Sequence, residues 1–574
     1  MKAETSRRRD PEIAVVAWLA SCVSIVAFLF YLRHGDILLY GDAVAHINIA
    51  RRVFDSRTPG LLQLGTVWLP LPHLLMIPFL LSDRLWQSGV GGSIPSLVAY
   101  VFGVVGIFRL VRGALSPAAA RAAVVSPRDE APDVTPHGPA WLAAAIFAVN
   151  PNLIYLQMTA MTESLYLAFF VWAVVYFGEF ARATNGENDA SKIAAGAASG
   201  EREKLGSLTK CGLCVMAACL TRYDGWFLAG TMAAWAMVIG ARRWKDLALR
   251  RSVRNFILLT VAAPVFWLAY NGIIYGDPLE FENGPYSAKA IEKKTAAKGE
   301  PTHPGAGSLG VSALYFLKSA ELNMAEGKWW QWLWVVLAAA GSLAVLLSRR
   351  GGELLLLWVP LPFYALSISH GAVPIFLPMW WPFSYYNVRY GLQLLPAFAG
   401  FAAATVAVSL QFLRRGDSKA AGRVRVAIGL AAIALAVASY ANVWQAQPAS
   451  YREAAINMRS KRTLEQTLAR WLRAMPADST LLMYLGDHVG ALQEAGIPLR
   501  RAINEGNHRT WKRPVDPEGL WERALAAPSE YADYVVAFDG DPVATAVTGR
   551  GLKELVEIST TGQPRAVVYA GRAR

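Results

Sequence analysis

The sequence predicts a polytopic α-helical membrane protein with a small α/β domain at its C-terminus. Of the 574 residues, 54% are hydrophobic and 17% are charged, whereas soluble domains average about 45–50% apolar and about 25% charged residues. Eleven apolar runs have the length of membrane helices, and the last ends at residue 445. This composition argues against a soluble multidomain enzyme, a disordered chain and a disulfide-stapled scaffold. We therefore expect a membrane domain at 1–445 and a soluble domain at 446–574.

The apolar runs are the first element of this prediction. A helix that crosses the hydrocarbon core needs about 20 mainly apolar residues, with a range of about 17–25. The runs that meet this requirement lie at 13–32, 94–112, 139–158, 161–181, 206–222, 224–241, 253–275, 328–348, 353–370, 390–413 and 425–445. They predict eleven crossings.

The charges between the runs predict the orientation. Three arginines, Arg7 to Arg9, precede the first run, which lacks a small-x-small cleavage site, so we expect an uncleaved helix with a cytoplasmic N-terminus. The loop 241–254 holds six basic residues against Asp246 alone, whereas the opposite-side segment 371–388 has no charge. With an odd number of crossings, the C-terminal domain would be extracytoplasmic, on a multi-pass protein of the cell (inner) membrane.

The segment 61–82 is apolar but contains Pro70, Pro72 and Pro78. Prolines suit a re-entrant or interfacial piece better than a regular crossing. If the segment does span, either a partner crossing has been missed or the predicted sidedness downstream of it inverts.

Net charge and cysteines give no sign of nucleic acid or metal. The 56 Lys and Arg exceed the 42 Asp and Glu, for a formal charge of +14, but in a polytopic protein this excess usually lies in cytoplasmic loops. No nucleic-acid partner is expected. Cys211 and Cys214 form a Cys-x-x-Cys pair without a second ligand pair, which favours two small apolar residues on one helix face. No metal ligand is predicted.

The C-terminal region has a different pattern. Residues 480–485 and 533–538 are typical of buried strands, and the stretches 487–495 and 541–552 are helical. This alternation predicts an α/β domain with a partly parallel sheet. Gly486 and Gly490 lie between a strand and a helix and could cradle a phosphate, although a plain tight turn is the better interpretation.

The first outer loop, 33–93, contains the first candidate for chemistry. Asp42 and His46 are four residues apart and share one face of a predicted helix. Ile47, Ala50 and Phe54 line another face, which we expect to lie on the bilayer surface. A carboxylate at Asp42 could take the proton of an acceptor hydroxyl. The alternative is that Asp42 only starts the helix and His46 is a satisfied interfacial histidine.

The residues 42–50 read Asp-Ala-x-x-His-x-x-x-Ala, and 68–73 are rich in proline and aromatic residues. This pattern resembles the first outer loop of the GT-C glycosyltransferases, closest to the GPI mannosyltransferase II type and to bacterial relatives of protein O-mannosyltransferases. The resemblance implies a multi-spanning enzyme that uses polyprenyl-phosphate sugars, with Asp42 as the catalytic carboxylate. Protein O-mannosyltransferases carry an Asp-Glu pair, whereas Ala43 follows Asp42 here.

Three further segments resemble the same enzymes. Asn150-Pro151 and Glu163 resemble their Asn-Pro and Ser-Glu-Ser segments; Glu163 has either a site role or that of a helix-starting carboxylate. The turn with Arg222 and Asp224 resembles their Arg-x-x-Gly turn; it either contributes to a substrate site or is a structural ion pair.

The third segment contains Arg389 and Tyr390 and resembles the Arg-Tyr run before a late helix of these enzymes. A guanidinium beside aromatic rings is well shaped to hold phosphate oxygens. The alternative for Arg389 is an arginine that reaches toward the lipid head groups.

These features together predict a metal-independent, inverting hexosyltransferase. The resemblance implies that the sugar is mannose and the donor a polyprenyl monophosphate, with no cofactor. We expect Asp42 to be the base and His46, Glu163, Arg222, Asp224, Arg389 and Tyr390 to bind substrate. The partners would be membrane lipid, the lipid-linked sugar and a protein, glycan or lipid acceptor. The alternative is a lipid or solute transporter that breaks no bond.

Overall fold

The computed structural model describes residues 10–115, 137–185, 197–243, 245–296, 302–414, 419–507 and 518–572. Long apolar helices form one bundle, and a five-stranded sheet lies beyond the last of them. The helices of the first half are α1 Pro11–His34, α2 Gly41–Arg52, α3 Pro70–Leu80, α4 Asp83–Gln87, α5 Val90–Ala114, α6 His137–Ala148, α7 Pro151–Leu156, α8 Glu163–Asn185, α9 Ala197–Cys219, α10 Asp224–Arg242 and α11 Leu247–Tyr275.

The second half continues the bundle and ends in the sheet region. Its helices are α12 Glu280–Asn283, α13 Ala288–Ala296, α14 Leu309–Met324, α15 Lys328–Ser348, α16 Pro360–Ser369, α17 Leu395–Arg414, α18 Lys419–Ala446, α19 Ala449–Leu472, α20 Gly490–Ala495, α21 Leu520–Ala526, α22 Pro528–Tyr531 and α23 Pro542–Val547. Two 3₁₀ segments, Gly352–Trp358 and Val388–Leu394, precede α16 and α17.

Eight segments of the described residues are long and apolar enough to cross a membrane. They are Pro11–His34, Val90–Ala114, Glu163–Thr184, Leu247–Tyr275, Lys328–Ser348, Gly352–Ser369, Val388–Gln411 and Gly422–Leu472. The protein is thus a multi-pass helical membrane protein by length and composition. The count of eleven crossings stays a prediction, and so does the sidedness derived from it.

Three of the predicted runs explain the difference in number. The run 139–158 is divided, because the Asn150 side chain caps α7 and Pro151 occupies its first turn. The run 206–222 lies in α9, whose apolar part Gly206–Cys219 is not among the eight segments. The run 224–241 forms α10, which is not among the eight segments.

The segment 61–82 does not form a spanning helix. Its only α-helix of appreciable length, α3, has 11 residues, or about 16 Å at 1.5 Å per residue, roughly half of the hydrocarbon thickness. The structure therefore favours the interfacial or re-entrant interpretation.

The sheet has the strand order β2-β1-β3-β5-β4. Its strands are β1 Leu481–Met483, β2 Ala502–Ile503, β3 Tyr534–Phe538, β4 Glu554–Ile558 and β5 Ala566–Ala570. The pairs β1–β2 and β1–β3 are parallel, and β3–β5 and β4–β5 are antiparallel. The two predicted strands and the partly parallel sheet are confirmed. The predicted division at residue 446 and the extracytoplasmic location stay predictions.

Helix α2 lies between the bundle and the sheet region. Its Asn48 side chain donates to Gln493 Oε1 at 2.7 Å. After α2, the buried Asp55 accepts hydrogen bonds from the backbone N–H groups of Leu499 and Arg500, both at 3.3 Å. The loop that carries Asp42 is therefore tied to the C-terminal region.

The prediction that one face of α2 lies on the bilayer surface is wrong. Ile47 and Ala50 are completely buried. A Cβ on Gly92 of α5 would lie 2.5 Å from Ile47 Cγ1 and 2.8 Å from the Ala160 side chain. The apolar face of α2 thus packs against the protein itself, and the missing side chain of Gly92 makes the room.

Candidate active site

The Arg389 guanidinium is the centre of a buried polar cluster at the α2 end of the bundle. It lies on the 3₁₀ segment before α17, and its side chain is 5% exposed. Nη2 donates to Asp42 Oδ2 at 2.5 Å, Nε donates to Glu163 Oε1 at 3.2 Å, and Nη1 donates to Glu453 Oε1 at 3.0 Å and to the Tyr40 hydroxyl at 2.9 Å. Four separate segments of the chain meet at this one side chain.

Glu453, on α19, holds the buried edge of the Arg389 guanidinium. Its two carboxylate oxygens accept backbone N–H bonds from Asn387 at 2.9 Å and from Val388 at 2.8 Å. The Tyr40 hydroxyl donates to the same carboxylate. Hydrogen bonds to an ionised carboxylate are stronger than those between neutral groups. Glu453 thereby anchors both the Arg389 side chain and the backbone that carries it.

A second guanidinium, Arg222, joins the cluster through the turn between α9 and α10. It donates to Glu163 Oε1 at 3.4 Å and to Asp224 Oδ2 at 3.3 Å. It also donates to the Tyr364 hydroxyl at 2.7 Å, and that hydroxyl donates to Asp224 at 3.2 Å. Arg222 therefore pairs with both carboxylates, and Glu163 links the two arginines.

The Tyr390 ring lies beside both cations. The guanidinium carbons of Arg222 and Arg389 each lie 4.7 Å from its ring centroid. A cation beside an aromatic face is attracted by the ring's quadrupole. Tyr390 thus helps to stabilise two like charges near one site.

Two glycines permit this arrangement. A Cβ on Gly225 would lie 2.6 Å from the Ala218 carbonyl carbon, so the turn with Arg222 and Asp224 closes only on glycine. A Cβ on Gly391, beside Tyr390, would lie 2.4 Å from the backbone nitrogen of Ala320. These close contacts place α10 and the 3₁₀ segment before α17 where their side chains can meet.

Asp42 is the accessible member of the cluster. Its side chain is 40% exposed, whereas those of Glu163 and Glu453 are 0% and 2% exposed. It lies in the first turn of α2, where the helix dipole favours a negative charge. An incoming hydroxyl can therefore reach this carboxylate, but not the buried ones.

His46 lies outside the Arg389 network. One turn after Asp42 on α2, its Nδ1 lies 2.8 Å from His73 Nε2, and its ring lies against Trp68 with centroids 4.4 Å apart. Burial lowers the pKa of His46 to about 3, and the positive charges of Arg389 and Arg222 contribute. The imidazole is therefore neutral near pH 7.

The structure thus brings together six of the seven predicted side chains: Asp42, Glu163, Arg222, Asp224, Arg389 and Tyr390. Sequence reasoning missed Glu453, Tyr40, Tyr364 and the His73 contact. His73 was visible as part of the segment 68–73. Glu453 carried no comparable signal, because it lies among other charged residues at 452–461 in a region assigned to a separate domain.

The remaining candidates take no part in the cluster. Cys211 Sγ donates to the Ala173 carbonyl at 3.3 Å inside the bundle, in agreement with a structural role. Gly490 begins a helix of six residues, and a Cβ there would meet the Glu465 carboxylate at 2.3 Å, which leaves no room for a phosphate. Among the described residues, no three His, Cys, Asp or Glu side chains are grouped so as to hold a metal ion.

The arrangement of helices and sheet is similar to that of solved structures. ArnT from Cupriavidus metallidurans bound to undecaprenyl phosphate matches with a TM-score of 0.53 at 12% identity, over 97% of this chain and 98% of that chain. The chain has the GT-C fold. The apo state of the same ArnT matches this GT-C chain with a TM-score of 0.52 at 14% identity, over the same shares of both chains. No family model and no curated protein matches the sequence.

The GT-C fold expected from the sequence is therefore confirmed. Identities of 12% and 14% establish the fold alone, since one fold can host different chemistries. The activity has to be argued from the side chains around Arg389.

Proposed function

We propose that the protein is an integral membrane glycosyltransferase that moves a hexose from a polyprenyl monophosphate to an acceptor hydroxyl. The observation that carries this proposal is the pairing of Asp42, an exposed carboxylate, with Arg389, a buried guanidinium, at 2.5 Å. A proton acceptor and an anion-stabilising cation lie side by side, as glycosyl transfer from a phosphate requires. The undecaprenyl phosphate bound to ArnT supports a lipid-linked donor.

In the proposed reaction the acceptor oxygen attacks the anomeric carbon of the sugar. The hydroxyl proton moves to Asp42 as the new C–O bond forms. The bond between the anomeric carbon and the phosphate oxygen breaks, and its electron pair stays on that oxygen. Direct displacement with one base inverts the anomeric configuration, since retention through a covalent intermediate requires a nearby nucleophilic side chain as well.

Arg389 and Arg222 supply the positive charge that the departing polyprenyl phosphate needs. A guanidinium binds phosphate oxygens without a proton or metal of its own. We therefore propose catalysis without metal or cofactor. Activity should persist in excess chelator; loss of activity that added Mg²⁺ or Mn²⁺ restores would contradict this part.

We also propose the sugar, the acceptor class, the location and a role for His46. Mannose as the sugar follows from the resemblance of residues 42–50 and 68–73. The acceptor is a protein, a glycan or a lipid. The proposed location is the cell (inner) membrane, with the N-terminus in the cytoplasm and the cluster and sheet on the outer side. His46 would contact the substrate beside Asp42.

The decisive test is transfer from a polyprenyl-phosphate sugar by purified Asp42→Asn protein. The rate should fall by about 10²–10⁴-fold, which is the usual contribution of a general base. Asp83→Asn is the matched control, because Asp83 is a carboxylate of the same loop, 67% exposed and outside the cluster; it should retain wild-type turnover. Wild-type-like turnover in Asp42→Asn would refute the role of Asp42.

A second experiment identifies the substrates. Mass spectrometry of lipid-linked sugars and glycoconjugates in a deletion strain should show an accumulated donor and a missing product. Substrate exchange across proteoliposomes without bond cleavage would instead favour the transporter.

A further inference from the structure

We infer that Asp42 occupies the donor-phosphate position on Arg389 when no donor is bound, so that donor binding releases the base. This inference rests on the proposed function and adds its regulation. The juxtaposition that carries it is a single guanidinium with three carboxylate partners, of which only one is accessible.

A phosphate can reach one edge of the Arg389 guanidinium. Nε faces Glu163, which is completely buried, and Nη1 faces Glu453 and Tyr40, which are also buried. Nη2 faces Asp42, whose side chain is 40% exposed, and lies 3.5 Å from the Tyr390 hydroxyl. An anion that approaches from solvent or lipid therefore meets Arg389 at Nη2, where Asp42 already lies.

Arg389 already faces three carboxylates, so a phosphate added beside them would place a fourth anionic group around one cation. Uncompensated charge in a buried site is costly. Exchange of one carboxylate for the phosphate avoids this cost, because the charge next to Nη2 stays the same.

Of the three carboxylates on Arg389, Asp42 is the one that can leave the guanidinium. Glu453 is held by two backbone N–H groups and by Tyr40, and Glu163 is shared with Arg222. Asp42 is held in the described structure by its bond to Arg389, and a turn of its partly exposed side chain is enough to break that bond. Donor binding therefore displaces Asp42 and leaves the buried contacts intact.

Catalysis gains from this exchange. A carboxylate that has lost its cationic partner accepts a proton more readily. The displaced Asp42 stays next to the phosphate, and hence next to the anomeric carbon that the phosphate carries. Asp42 thus becomes an effective base only when a donor is bound. In the empty enzyme its negative charge stays paired with Arg389.

The test compares the affinity of purified variants for undecaprenyl phosphate in detergent micelles. If Asp42 competes for Nη2, Asp42→Asn and Asp42→Ala should bind this probe roughly two- to fivefold more tightly than the wild type, the range of a partly exposed ion pair. Glu453→Gln is the matched control, because it removes one negative charge from the same guanidinium on its buried edge. It should bind the probe equally or more weakly.

Each outcome has a defined consequence. Tighter binding in both Asp42 variants but not in Glu453→Gln supports the exchange. Tighter binding in all three would show a general field effect, and unchanged or weaker binding in folded Asp42 variants would show that Asp42 does not compete; either result overturns the inference and leaves the proposed function standing. Wild-type protein without measurable affinity for the probe would contradict the proposed donor class and the inference with it. Tighter binding with undiminished transfer in Asp42→Asn would support the exchange on Arg389 but refute the role of Asp42 as the base, and with it the release of a base by the donor.

Discussion

Glu453 Oε1 accepts a hydrogen bond from Arg389 Nη1 at 3.0 Å, and the Glu453 carboxylate also accepts the backbone N–H groups of Asn387 and Val388. One carboxylate therefore holds both the side chain and the main chain at this point. It is buried from any substrate, so its effect on the reaction passes through Arg389.

Glu453→Gln should weaken this positioning without removing a group that touches substrate. A hydrogen bond to a charged group contributes about 1.5–3 kcal/mol, so kcat/KM for the donor should fall by roughly 10- to 100-fold. Glu453→Asp, which keeps the charge, should recover part of this loss. Steady-state kinetics with a polyprenyl-phosphate sugar measure kcat/KM for each variant. An unchanged value in Glu453→Gln would show that Arg389 is positioned by its other partners.

The contact between α2 and the sheet region predicts a difference between two carboxylates on Arg51. Asp55 is 1% exposed and lies 2.8 Å from Arg51 Nε, whereas Asp83 is 67% exposed and lies 2.7 Å from Nη2. Asp55→Asn should lower the free energy of unfolding by about 3–5 kcal/mol, because it leaves a buried guanidinium short of its partner. Asp83→Asn should cost less than about 1 kcal/mol.

Thermal or denaturant unfolding in detergent measures both variants. Limited proteolysis should also cleave the region after residue 472 faster in Asp55→Asn than in the wild type. Equal losses in the two variants would contradict the structural account of this contact.

The turn that carries Arg222 and Asp224 should not tolerate a methyl group at Gly225. Its Cβ would come within 2.7 Å of the Ala218 and Cys219 backbone, so Gly225→Ala should destabilise the protein by about 1–3 kcal/mol and displace both side chains. Gly230, on the same helix, has open space around a Cβ.

Gly230→Ala is thus the matched control and should be neutral or stabilising by up to about 1 kcal/mol. Activity and unfolding temperature of the two variants would be compared at the same pH. Wild-type activity in Gly225→Ala would show that the turn can relax without moving Arg222.

The buried His46 side chain should make the free energy of unfolding depend on pH. Its pKa is lowered by burial from 6.5 to about 3, so below pH 6.5 the unfolded chain binds a proton that the folded protein excludes. The stability associated with His46 is present above pH 6.5 and is lost as the pH falls toward 3, by about 1.4 kcal/mol per pH unit.

His46→Asn removes this proton and should flatten the decline of stability between pH 6.5 and 4.5. Unfolding free energies of the two proteins at half-unit pH intervals provide the measurement. Parallel curves for the two proteins would mean that His46 is protonated in the folded state as easily as in the unfolded state.

The sequence predicted what depends on local pattern. Apolar runs identified the main helices, and Glu163, Arg222 and Arg389 each lie at the end of such a run. Asp42 was found from its spacing to His46 and from the resemblance of the first outer loop. Glu453 and Tyr40 could not be found in this way, because their role depends on contacts across 64 and 349 residues. The helix break at Asn150-Pro151 could have been predicted, since a capping side chain before proline is typical of a helix start. Hydropathy alone does not show this break and therefore predicts one helix over the run 139–158.

The twelve residues of α2 connect the two ends of this system. Asp42 stands in its first turn, and Arg51, in its last turn, binds the Asp55 carboxylate that the sheet region holds. Such a helix is about 18 Å long, so a tilt of roughly 3° at the sheet end swings the other end by about 1 Å. A displacement of about 1 Å can change a rate 10²-fold. A tilt of α2 that starts at the sheet region would therefore change the position of the Asp42 carboxylate.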